Sequence, residues 1–234
     1  MTDVFPPCFA NRAEMVWDLP GAFTSGGTSV FGGESQVRRM DGGGGWRAML
    51  QNLVLKDAAN QKTWQAIWQD IMLGNTKYIV PRPPHRLKAS FVSTGGSVPW
   101  SDDVPFSDDS EWYTGSGLAT LAAEVELRAV EAQIILPPGA ALEGGEPFTI
   151  VGPTYGARLY HVARVLDVAA DEDGDTVTVR FGPPAREDYA AESEVDFENP
   201  RCTMRSVPNS DGAAVNFSRS RFATASIVFE ETFT

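Results

Sequence analysis

Residues 40–50, MDGGGGWRAML, place four glycines, Gly42 to Gly45, directly before Trp46 and Arg47. A glycine run of this kind can cradle a phosphate with its backbone N–H groups. The phosphate loop of nucleotide enzymes further needs a Lys for the outer phosphates and a Ser or Thr hydroxyl for Mg²⁺. Trp46 and Arg47 stand where those residues belong. The dinucleotide pattern fails as well, because Arg47 follows Gly42 and Gly44 where a third glycine is required. Nucleotide binding is therefore not expected. Three roles remain open for the glycines: a sharp turn, a site of close backbone approach, or a glycine-rich arm that orders against a neighbouring subunit.

The other chemistry-bearing residues give no assembled pattern. The two histidines, His85 and His161, come without a C-x2-C pair or an H-E-x-x-H, so a tetrahedral zinc site has no support. No G-x-S-x-G is present, and each histidine would need a nucleophile and a carboxylate brought to it by the fold. His161 reads as a structural residue within a strand, and His85 as exposed after Pro83-Pro84. Asp102, Asp103, Asp108 and Asp109 could offer oxygen ligands to calcium, as could Asp171, Asp173 and Asp175. The latter run lacks the glutamate that would close a calcium loop and reads as a hairpin turn. The former reads as local turn chemistry. No catalytic, cofactor-binding or metal-binding residue is assigned, no cofactor is expected, and an enzyme is the weakest reading.

The elements that carry these residues are mostly strands. The chain has 234 residues with 22 glycines and 16 prolines that punctuate short runs of Val, Ile, Phe, Tyr and Thr. Acidic residues number 31 and basic ones 19, a net charge of −12, which argues against a dedicated nucleic-acid binder. No stretch approaches the ~18 apolar residues of a membrane span, and the N-terminus does not read as a signal peptide. Cys8 and Cys202 are expected as buried free thiols.

Strands are expected at 14–17, 28–31, 34–39 and 46–55, the last with some helical character. Trp64, Ile67, Trp68, Ile71 and Met72 fall on one helical stripe in NQKTWQAIWQDIMLGN, with Thr63 or Asn60 as cap and Gly74 as the left-handed terminator. KYIVP reads as a strand halted by prolines. Residues 94–117 read as a long acidic loop containing a doubled P-W/F-S-D-D. Residues 118–132 have helix-forming composition. Strands are then expected at 133–136, 147–151, 158–168 and 176–181, with SEVDFENP as a possible further one. A hairpin is expected around Asn209 to Gly212, and a final strand at 222–230 that returns to the first sheet. The fold expected is mainly β: a β-sandwich with one packed helix, formed by residues 1–136 and 201–234, plus an inserted small β-barrel of OB-like or split-barrel type at 137–200.

The order of several pieces carries a resemblance. Gly45-Trp46, the helix around Trp64-Gln65-Ala66-Ile67, PWSDDVPFSDDSEWY, LEGGEPFTIVG, RLYHVARVLDV, VTVRFGPPARE, VDFENPRCTMR and the closing SIVFEE follow one another along most of the chain. That order resembles the distal tail proteins of long-tailed bacteriophages. The resemblance implies a non-enzymatic virion protein of the tail tip or baseplate, made in the cytoplasm of the host bacterium. It implies a homohexameric ring between the tail tube protein and the tail-tip hub protein. DNA would pass the lumen only as cargo, a host surface glycan would be a further partner of the extra domain, and no membrane insertion would occur. Alternatives are a tail tube or head–tail connector protein, or a carbohydrate-binding module using Tyr155, Tyr160, Phe181 and Tyr189.

Overall fold

The computed structural model describes residues 3–10, 13–28, 35–40, 42–74, 77–82, 90–91, 97–98, 112–113, 119–137, 140–170, 175–206, 216–217 and 223–233. The protein is mainly β, as expected, and divides into two units. One comprises residues 1–83, 152–159 and 199–234, the other residues 84–151 and 160–198.

In chain order the elements are β1 (Asp3–Val4), α1 (Pro7–Ala10), β2 (Glu14–Asp18), β3 (Phe23–Thr28), β4 (Ser35–Arg39), β5 (Arg47–Leu55), α2 (Ala58–Met72) and β6 (Lys77–Pro81). Then come β7 (Ser90–Phe91), β8 (Ser97–Val98), β9 (Trp112–Tyr113), β10 (Ala119–Leu121), β11 (Glu131–Leu136), β12 (Ala140–Ala141) and β13 (Pro147–Gly152). They are followed by β14 (Gly156–Ala169), β15 (Asp175–Gly182), β16 (Glu194–Asp196), β17 (Arg201–Ser206), β18 (Asn216–Phe217) and β19 (Ala223–Glu231).

The first unit is built on a seven-stranded sheet of order β1-β6-β17-β19-β5-β2, with β18 beside β19. The final strand does return to this sheet, between β17 and β5. Period-two alternation sends Ala48 and Leu50 of β5, Tyr78 and Val80 of β6, Cys202 and Met204 of β17, and Ile227 and Phe229 of β19 into one core. Arg82, just past β6, has its guanidinium carbon 5.9 Å from the ring centroid of Trp17 in β2. Four strand spacings separate β6 from β2 in the hydrogen-bonding order, roughly 19 Å on a flat sheet. The long side chains of Arg82 and Trp17 reach toward one another across that span.

Helix α2 covers part of that core. Trp64 and Ile71 of the expected stripe are buried, and Ile67 and Trp68 pack half-buried against the same cluster. Met72 departs from the expectation and is exposed, whereas Ile71 beside it in the last turn is buried, so the stripe ends at Ile71. The helix starts earlier than the sequence suggests, with Asp57 rather than Asn60 or Thr63 at the N-cap position. Asn60 instead donates to the Asp57 carboxylate and Thr63 to the Ala59 carbonyl. Gly74 takes φ +102°, a left-handed residue after the last turn. Cys202 is a buried free thiol, whereas Cys8, on the short α1, is a free thiol exposed to solvent. Its neighbours Phe9 and Ala10 take the inward positions of that single turn.

The second unit is a closed barrel of order β10-β11-β15-β14-β13-β16. Residues 118–132, expected as helix, instead supply β10 and a turn leading into β11. Arg128 adopts φ +69° there, which ends any helix, and the inward Ala132, Ile134 and Leu136 of β11 follow a strand period. Two of the six barrel strands thus precede residue 137, the sequence-expected start of the insertion. Phe148, Tyr160, Phe181, Tyr189 and Phe197 fill the interior. The hydroxyls of Tyr160 and Tyr189 lie 2.7 Å apart, and the Arg186 backbone N–H donates to the Tyr160 hydroxyl at 3.0 Å. Buried phenols thereby find the partners that burial demands. The acidic repeat at 99–111, His85, the DEDG turn at 171–174 and the hairpin expected at 209–212 lie outside the described residues.

Candidate functional site

The glycine run sits at a joint. Strands β2 and β5 pair antiparallel from Asp18↔Arg47 to Glu14↔Gln51. Beyond them the same two chain segments continue as β3 and β4, paired from Phe23↔Arg39 onward, a two-stranded sheet with no third strand among the described residues. Residues 19–22 and 40–46 connect sheet to hairpin, held by Gly45 N–H to the Pro20 carbonyl and Met40 N–H to the Ala22 carbonyl. Gly44 takes φ +75° at this point, and a Cβ would press on the Pro20 carbonyl oxygen and stand 2.7 Å from the Ala22 nitrogen. Two of the readings left open by the sequence, a sharp turn and a close backbone approach, apply together here.

The hairpin, or arm, exposes large apolar side chains beside polar ones such as Arg38. Phe23 is 65% exposed, Val37 66% exposed, and Met40 at its root is exposed as well. Cross-strand partners share a face, so Val37, opposite Ser25, stands diagonally from Phe23 on one side of the ribbon. A two-stranded ribbon is marginal alone in water, and Phe23 and Val37 of this one lie outside both core clusters. Beside its root lies another incompletely used element. Among the described residues strand β2 ends the sheet order, with no described strand beside its outer row of backbone groups. Glu14, Val16 and Asp18 point outward and are exposed, Val16 at 40%. Glu14 accepts from the Asn52 side-chain amide and Asp18 from the Leu19 N–H, both local contacts.

The joint is anchored from below by a buried charge cluster. The Trp46 backbone N–H donates to Glu231 Oε2 at 3.0 Å, and its indole N–H to the Leu159 carbonyl at 2.7 Å. Glu231 Oε1 pairs with Arg158 Nη1 at 3.2 Å, with both side chains out of solvent. Arg158 Nη2 also donates to the carbonyls of Tyr155 and Thr232. The guanidinium lies 5.4 Å from the Tyr155 ring centroid and 4.9 Å from that of Phe233. Each buried charge is therefore met by an opposite charge, carbonyls or aromatic faces. This cluster ties the start of β5 and the start of β14 to residues 231–233, with Arg158 Nε the one buried nitrogen of its guanidinium left without a hydrogen bond. Arg82 is different: burial pushes its guanidinium down to about 10. Tyr78, under the sheet, is raised by burial and by the Asp70 carboxylate that its hydroxyl meets at 3.2 Å.

His161 lies half-buried in β14, directly opposite Gly182 of β15. Among the described residues no three His, Cys, Asp or Glu side chains converge as metal ligands. Of the aromatics considered for sugar stacking, Tyr160, Phe181 and Tyr189 are spent inside the barrel, and only Tyr155 reaches solvent, half-buried beside Arg158. Among the described residues, no helix is long and apolar enough to cross a membrane. Compared with known proteins, the chain matches no family model and no curated sequence. The candidate site is therefore a surface: the apolar arm β3–β4, the open edge of β2, and the glycine joint between them.

Proposed function

We propose that this protein is a structural subunit of a self-assembling ring, the distal tail ring of a long-tailed bacteriophage particle. The observation that carries the self-assembly is the arm. Its large apolar side chains are solvent-exposed in a single copy, beside a sheet edge that is also open. A contact that uses the arm of one copy and another surface of the next is heterologous, and such contacts close into rings when the rotation permits. The joint is anchored firmly at Trp46, which suits an element that must be presented in one place.

The tail position rests on the sequence resemblance, on the mainly β sheet unit with one long helix, and on the inserted small barrel. In that reading the ring is a homohexamer between tail tube and tail-tip hub, in the virion, with DNA as passing cargo. The net charge of −12 suits a lumen that phosphate must slide past. The protein works by binding its neighbours and performs no chemistry, and the barrel is the domain a host surface glycan would meet. Negative-stain images of the concentrated chain test this reading. Single six-fold rings with a central hole are expected. Rings that stack without limit would favour a tube protein, and the absence of any closed ring would sink the proposal.

A further inference from the structure

We propose that strand β4 of one copy adds to the open edge of β2 of a second copy, with Val37 set against Val16. The inference rests on the self-assembly reading and names the strands that join.

Four observations carry it. The first is availability. Among the described residues, strand β2 ends the sheet order and β4 pairs with β3 alone, so each has one side without a described strand. Unpaired strand edges are ready templates for pairing with another chain. The second is connectivity. Residues 40–46 lead β4 into β5, which already occupies the inner side of β2. The outer side of β2 is thus left for a strand from another copy.

The third is apolar match. Val16 and Val37 are each exposed, and each is the central residue of a five-residue strand. Placing them opposite one another aligns both strands along their whole length. The fourth is charge. Glu14 and Asp18 flank Val16 at two residues on either side, and both are exposed. Two residues after Val37 comes Arg39, with the exposed Arg38 between them. With Val37 on Val16, Arg39 falls opposite Glu14 if the strands run antiparallel and opposite Asp18 if they run parallel. An acid meets the base in either direction. The chain as a whole is acidic, so a strand ending in two arginines is a local exception that suits this acidic edge. The sequence of β3, FTSGGT, offers the edge no such charges.

The edge charges also explain why β2 does not accept strands at random. Acids on an exposed edge discourage unselected pairing, and only a partner with a base in register relieves them. Donor and acceptor edges are different strands, so each copy gives one and takes one.

Cysteine cross-linking of the full chain tests the pairing. In a Cys8→Ser background, Val16→Cys and Val37→Cys are introduced together, and each alone as a control. The proteins are oxidised at a concentration where the wild type assembles. The double variant should give a ladder of covalent multimers on a non-reducing gel, and each single variant no more than a dimer. Assembly of the wild type without a ladder would overturn the pairing and leave the ring reading standing. A wild type that never exceeds one copy, with no ladder, would overturn both.

Charge exchange gives a second readout. Glu14→Arg, Asp18→Arg or Arg39→Glu alone should raise the concentration for half-assembly, on the order of tenfold for whichever acid faces Arg39. Arg39→Glu combined with Glu14→Arg, or with Asp18→Arg, should recover the loss and so report the strand direction. Recovery in neither combination would overturn the pairing. All these positions lie on the arm or the sheet edge, and circular dichroism should show each variant folded as the wild type.

Discussion

Removing the Glu231 carboxylate should unfold the sheet unit far more readily than an average substitution. In Glu231→Ala, Arg158 loses the anion that meets its Nη1 at 3.2 Å, while the residue stays only 1% exposed. Trp46 loses the acceptor of its backbone N–H in the same step. Breaking a buried ion pair from one side costs about 3 to 5 kcal/mol, because the remaining charge stays buried and unpaired. The carbonyls of Tyr155 and Thr232 still hold Nη2, so the lower part of that range is expected. Glu231→Gln should cost less, since an amide oxygen can still accept from Trp46. Urea unfolding followed by tryptophan fluorescence measures this, with Trp46 at the cluster itself. A loss below about 1 kcal/mol for Glu231→Ala would refute the reasoning, since it would mean that the pair stabilises nothing once its desolvation is counted.

Gly44→Ala should destabilise the joint by about 2 kcal/mol or more, read as a lowered Tm, because a left-handed residue would press a Cβ on Pro20. Val37→Asp should leave the monomer's Tm within about 1 °C, since the side chain touches no core, and should weaken self-association in light scattering. Tyr78 should make the fold sensitive to alkali. Its hydroxyl is raised above the ordinary value of 10.0, so the unfolded chain releases this proton first. The stabilisation is complete below pH 10 and falls above it by up to about 1.4 kcal/mol per pH unit. Tyr78→Phe should flatten that part of the stability curve, and an unchanged slope would contradict the assignment. Tyr160→Phe should cost about 1 to 2 kcal/mol in the barrel, since Tyr189 and the Arg186 N–H both lose a partner.

Much of the architecture is legible in the sequence because one-sided burial writes a period. The alternation in β19 and the 3.6-residue stripe of α2 mark those elements clearly. Strand β14 is found as a strand but not with the expected alternation: residues 157–160 are buried in succession and the strand is mostly exposed from Ala163 on. Residues 118–132 mislead because Ala, Glu and Leu carry helix propensity, whereas barrel closure and the left-handed Arg128 decide the outcome. The glycine run signals a joint, but sequence alone does not show which backbone comes close; the approach of Pro20 does. The anchor at Arg158 and Glu231 is absent from the sequence-based expectations, although a signal exists. Glu231 shares the inward parity of Ile227 and Phe229, and an acid on the core side of a strand calls for a buried partner. The open edge and the exposed arm are invisible to periodicity, because strand order within a sheet is set by long-range pairing.

The native mass of the purified 25.3 kDa chain, measured by light scattering from low to high concentration, tests the central claim most directly. The account predicts growth toward a closed assembly of six copies, with its midpoint moved to higher concentration by changes in the arm. A mass that stays at one copy over the whole range would contradict it.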